Sequence, residues 1–242
     1  GPGRMPHLMQ SRVPLLFVEN RGQLDGNVSY YTEFGDLAAH FAPEEIVLDL
    51  MDIQKPGQHE ERPGIGTWDE IRHKVLRLEF LGANPEATLA GKRRRDGVVN
   101  YFVGEDPSKW KMNIPTYGEI YYKNVYDNID IRFYESQGVL EYDFIVRPGG
   151  SPGELHIRLD GSEKVEIDEN GDLAIFINHK RMVMRKPIVY QEKDGEKSTV
   201  PCRYFLDSSK NVRFSVSAYD TAKTLIVDPK FVYSSYFGGN YD

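Results

Sequence analysis

One cysteine, Cys202, stands among 242 residues. That excludes an internal disulfide framework and any cysteine-rich zinc site. No run of about 18 apolar residues offers a transmembrane helix. Basic charge is in deficit, with 30 Lys and Arg against 37 Asp and Glu. The resulting net charge of −7 argues against holding nucleic acid or an anionic membrane through overall charge. No Walker A sequence and no dinucleotide G-x-G-x-x-G occurs. The histidines His7, His40, His59, His73, His156 and His179 never take HExxH spacing. Helical periodicity is also missing, with room for one helical turn at most between Asp69 and Leu76.

What the chain does have is 15 Tyr, 12 Phe, 22 Gly and 14 Pro, the composition of a β-rich protein with many turns. Leu76, Leu78 and Phe80 alternate with Arg77 and Glu79, so one face of that strand reads as core. The same alternation marks strands at 47–53, 129–134, 140–146, 155–159, 188–191, 200–206, 212–216 and 224–227. Asn170-Gly171 between Val165–Ile167 and Leu173–Ile177 reads as a hairpin turn. The fold class expected is mainly β, an antiparallel β-sandwich or two packed sandwich-like lobes. Residues 54–68 and 82–97 read as exposed loops, with a sublobe boundary near 104–113. Residues 1–4 read as the scar of a cleaved tag and are set aside.

Several side chains invite a chemical reading. Glu141 and Asp143 lie two apart in a strand and leave the same face, as paired carboxylates acting on a glycosidic bond would; a polar outer face over an apolar inner one explains them better. Arg21, after an apolar strand, reads either as a grip for a ligand carboxylate or as the internal partner of Glu141 or Asp143. Tyr121 and Tyr122, like Tyr30 and Tyr31, offer a stacking surface for a sugar or protein, although strand geometry turns one ring of each pair inward. Asp127, Asn128 and Asp130 have oxygens suited to calcium or to Asx turns. Asp168, Asn170 and Asp172 share that ambiguity, and the turn wins because position twelve of a calcium loop falls on His179. Lys92-Arg93-Arg94-Arg95 reads as a solvated loop, and Cys202 as a buried thiol.

Longer stretches carry a resemblance. Phe17-Val18-Glu19-Asn20-Arg21-Gly22-Gln23, Asn100-Tyr101-Phe102-Val103-Gly104 with Trp110, Val125-Tyr126-Asp127-Asn128-Ile129-Asp130, Leu140 to Gly149, Lys186 to Gln191, and Leu225-Ile226-Val227-Asp228-Pro229 follow one another in order. Together they resemble the uncharacterised N-terminal domain that precedes SBBP-type β-propeller repeats in large bacterial and archaeal surface proteins. The sequence departs from that pattern at Asp127-Asn128, in place of Pro-Gly, and at Gly150, in place of Ala-Asp. The resemblance implies a β-rich module over 14–230, with 231–242 opening a following propeller-type repeat. It implies an extracellular or cell-surface location, a downstream β-propeller in the same chain as partner, and no catalytic residues. No cofactor is expected apart from calcium. The functional expectation is a non-enzymatic module that caps and orients the propeller and contributes to adhesion through a surface glycan or protein ligand. The alternatives are a carbohydrate-binding module and a glycoside hydrolase.

Overall fold

Alternation becomes burial along β5 (Glu70–Phe80), where Leu76, Leu78 and Phe80 turn inward while Val75, Arg77 and Glu79 stay toward solvent. The computed structural model describes residues 15–24, 26–34, 37–54, 70–102, 105–136, 139–177 and 180–233. Within them the expected loop at 54–68 falls almost entirely outside the described residues. The protein is nearly all antiparallel β, as expected.

A meander opens the chain: β1 (Phe17–Glu19), β2 (Tyr30–Phe34), β3 (Leu37–Phe41), β4 (Glu45–Gln54) and β5 pair in order. Then come β6 (Thr88–Tyr101), β7 (Lys111–Tyr126), β8 (Ile129–Ser136) and β9 (Val139–Val146), in which β7 pairs antiparallel with β6, β8 with β7 and β9 with β8. The residues 105–113 that include the expected sublobe boundary carry the chain from β6 into β7. Strand β10 (His156–Asp160) returns to β5. Two hairpins follow, β14 (Ile188–Lys193) with β15 (Glu196–Thr199), and β16 (Cys202–Leu206) with β17 (Val212–Val216). Strand β18 (Leu225–Asp228) then inserts between β9 and β14.

The large sheet branches at β7. Glu119 pairs with Lys92 of β6 on one side and Tyr134 of β8 on the other. Tyr117 pairs with Arg94 of β6 and with Phe17 of β1. Strands β1 and β8 therefore share one edge of β7, one after the other, and β6 holds the opposite edge. One wing leads through β8, β9, β18, β14 and β15, and the other through β1 to β5, β10, β17 and β16. Rings from the two wings meet: Phe41 lies 5.1 Å from Phe133, and Phe144 lies 5.6 Å from Phe214. This is the sandwich core. A second sheet, β11 (Lys164–Ile167), β12 (Leu173–Ile177), β13 (Lys180–Met184) and β19 (Phe231–Tyr233), packs Leu173, Ile175, Met182 and Met184 into the same apolar cluster.

The two positions at which the chain departs from the resembled pattern touch each other. Asn128 adopts φ +57 in the two-residue turn between β7 and β8, a conformation Asn tolerates. A Cβ on Gly150 would fall 2.9 Å from the Asn128 carbonyl oxygen. Gly150 is thus the residue that lets the 147–150 turn close against this version of the 127–128 turn.

Candidate functional site

The outer face of the β7–β8–β9–β18 wing carries a row of polar side chains set by register. Tyr121 pairs with Arg132, and Arg132 with Asp143. Val227 pairs with Phe144, so Asp228 comes beside Asp143. In the neighbouring row Glu119 pairs with Tyr134, and Tyr134 with Glu141. Arg132 is the hub. Its Nη2 donates to Glu119 Oε1 at 2.7 Å, and its Nη1 lies 3.8 Å from Asp143 Oδ2. Its guanidinium carbon sits 4.5 Å from the centre of the Tyr134 ring. Arg93 of β6 adds a second cation to Glu119, at 3.1 Å. The Tyr134 hydroxyl donates to Asp143 Oδ1 at 3.2 Å.

Asp143 is only 6% exposed, which works against its ionised form. Burial and the neighbouring Asp228 carboxylate push its carboxyl up to about 6, against the pull of Arg132 and the Tyr134 hydroxyl. Burial also raises Asp228, although Lys230 and Lys197 oppose it. One Asp228 oxygen is buried with no hydrogen-bond partner among the described residues. Neither of the two larger clefts described, about 730 and 850 Å³, is lined by this row.

Asp228 also ends β18, where the chain leaves the large sheet. Pro229 is buried, and the Lys230 carbonyl accepts from the Arg185 amide at 2.7 Å. Strand β19 follows at once and pairs with β13, with Val183 opposite Val232. The Arg185 stretch is itself fastened. Tyr204 donates to its carbonyl at 3.0 Å, its guanidinium bonds Asp172 at 2.7 Å, and the Lys186 amide reaches the same carboxylate at 2.7 Å. Burial works against the ionised form of Asp172, but the Lys186 amide and Arg185 outweigh it and hold the carboxyl below the usual range.

Of the residues singled out in the sequence, Tyr121, Glu141 and Asp143 share this face. Tyr122 does not: it is fully buried, with its hydroxyl donating to the Ala42 carbonyl at 2.6 Å. Arg21 does not join the carboxylates either. It pairs with Glu19 of the adjoining strand at 3.4 Å, because β1 lies on the other wing. Asp127 and Asn128 are exposed turn residues, whereas Asp130 turns away to accept from the Asn124 amide at 2.8 Å and to meet Arg147 at 3.2 Å. No group of three or more His, Cys, Asp or Glu with metal-binding geometry occurs among the described residues. Asp168 receives the Asn170 and Asp172 amides, an Asx turn closing the β11–β12 hairpin. The basic run Lys92–Arg95 is not in a loop but in β6, held as a strand by its ladder with β7. Cys202 is buried, and burial raises its thiol to about 11.

Sequence reading missed Glu119, Arg132 and Asp228. Arg132 had a signal: a hairpin turning at 137–138 places it opposite Asp143. The letters Gly149-Gly150-Ser151-Pro152-Gly153 also spell a nucleophile-elbow pattern that the reading passed over. Here Ser151 caps a short 3-10 turn, its Oγ accepting from the Gly153 amide at 3.3 Å. That is a capped turn between strands, not the strand-to-helix elbow the nucleophile needs.

No curated protein and no solved structure matches the chain. A family model described as a domain of unknown function, DUF7948, matches residues 17–230, from the first residue of β1 to the residue before β19. The chain therefore belongs to the DUF7948 family.

Proposed function

We propose that this domain is a non-catalytic, extracellular module that caps and orients a repeat domain following it in the same chain, of the SBBP-type β-propeller kind, and presents a surface for adhesion. What supports the reading is the end of the family match. The matched stretch stops at residue 230, and the next three residues are already an edge strand of the module's second sheet. A chain that leaves through a paired strand keeps its direction, whereas a flexible linker lets the next domain wander. Pro229 stiffens the step from β18 to β19, and the bond from the Arg185 amide to the Lys230 carbonyl pins it. A repeat array needs its terminal strand edges covered, and a fixed neighbouring module meets that need.

The test uses the full-length gene product. The bond between Arg185 and Lys230 makes Val183 and Val232 the next hydrogen-bonded pair by antiparallel alternation. Val232→Pro removes that donor. Small-angle scattering is expected to show one compact arrangement for the native protein and a broadened, longer distribution for V232P. Unchanged scattering in V232P, or a gene product with no repeat domain after this one, overturns the reading.

A further inference from the structure

We propose that the β6–β7 hairpin is a docking edge for an acidic, extended peptide segment of a partner protein, taken up by strand addition to β6. Strand β6 runs 14 residues and has β7 as its one ladder partner among the described strands, with register shifts between Arg94 and Val98 and between Val99 and Tyr101 and with Arg93 at φ +52. At its inner end the edge is already used, since the Gly91 amide donates to the Tyr30 hydroxyl at 3.0 Å. From Lys92 to Val98 every residue is exposed. A strand edge presents backbone donors and acceptors to another chain, and the cationic run and the register shift here guard it against indiscriminate pairing, so an occupant must complement the charge.

Charge selects the occupant. Arg93 is held by Glu119, but no carboxylate among the described residues pairs with Lys92, Arg94 or Arg95. The Arg95 guanidinium lies across Gly118, within 3.0 Å of where a Cβ would stand, so a side chain there would displace it. This is an exposed cationic run on a chain whose net charge is −7. Apolar side chains continue it toward the hairpin tip, where Val98, Phe102 and Met112 are 47%, 58% and 59% exposed. A cationic stripe beside exposed apolar groups on an open strand edge matches a segment that alternates acidic and apolar residues. A second copy of this chain fits poorly, because pairing two β6 edges would bring the two cationic runs together.

The experiment measures fluorescence anisotropy of a labelled peptide of alternating Glu and Val, ten residues long. The controls are the same peptide N-methylated throughout, heparin, and vesicles of phosphatidylcholine with phosphatidylserine. Binding of the unmodified peptide is expected to weaken about tenfold in Arg94→Glu/Arg95→Glu, through the loss of complementary charge. The N-methylated peptide, with its charge intact and its ladder donors gone, is expected to bind about tenfold more weakly than the unmodified one. An unchanged melting temperature in the double variant shows that the fold is kept. Absent peptide binding, equal binding of the N-methylated peptide, tighter binding of heparin or vesicles, or indifference to the double variant each overturns the proposal.

Discussion

Two of the three neighbours of strand β7, β6 and β8, have opposite character. On the β8 side the ladder is buried on both faces: Ile129, Ile131 and Phe133 point into the sandwich, and Arg132 closes over Glu119 and Asp143 outside. On the β6 side nearly every residue beyond Gly91 is open to solvent. Both strands pair with the same partner, but β8 is buried or half-buried along its length, whereas β6 packs only its ends, through Leu89, Val99 and Tyr101. Between Lys92 and Val98 the side chains of β6 are exposed and bury no core, whereas the inward ones of β8 do.

Substitution sharpens the contrast. The largest effect belongs to Phe133→Ala, which removes a ring packed against Phe41, Tyr122 and Tyr142. It should cost about 3–5 kcal/mol in urea unfolding. Phe102→Ala, on the exposed hairpin, should stay within about 0.5 kcal/mol. Equal costs for the two would erase the distinction between the flanks.

Asp143→Asn comes next, and its sign is opposite. The native carboxyl is raised to about 6, so protonation favours the folded state. That stability is fully present below the ordinary carboxylate pKa near 4 and is lost as pH rises through about 6. Asn keeps an oxygen to accept from Tyr134 and never ionises. Asp143→Asn should therefore stabilise the protein at about pH 8, by at most on the order of 3 kcal/mol, and hardly at all at about pH 4. A variant less stable than the native protein at both pH values would show that the pairing with Arg132 outweighs the cost of burial.

Asp172→Ala should destabilise by about 2 kcal/mol, chiefly because the Lys186 amide loses its acceptor. Arg185 is more than half exposed, so losing its ion pair adds little. Smallest of all, Arg94→Glu/Arg95→Glu should leave the unfolding midpoint within about 0.5 kcal/mol of the native value. A large loss there would mean that β6 is held by its side chains after all.

The strands that face a core on one side were legible because parity marks them: β5, β8 and β9 carry the expected faces, and β11–β12 form the hairpin expected from Asn170-Gly171. Strand β6 was not. Lys92-Arg93-Arg94-Arg95-Asp96-Gly97 has no apolar alternation, and its strand character comes from β7. Parity also misled at β2, where both Tyr30 and Tyr31 are only 9% exposed. Tyr30 enters the main core and Tyr31 a second apolar cluster with Val18 and Ile114, so this strand is covered on both faces. At the candidate site the sequence placed Glu141 and Asp143 on one face, and the structure keeps them there. It did not place Asp228, because β18 reaches β9 from more than 75 residues away along the chain, and no local pattern encodes that pairing. Arg21 fails for the same reason: only the order of strands across the sheet shows that β1 is on the other wing.

Amide hydrogen exchange at Phe231, Val232 and Tyr233, set against Arg94 to Val98, tests the central claim most directly. If the chain leaves this domain through a paired strand, the Val232 amide exchanges as slowly as its partners in β13, while the outward-facing amides of β6 exchange quickly. Exchange of Val232 at the rate of an unstructured peptide would contradict the account.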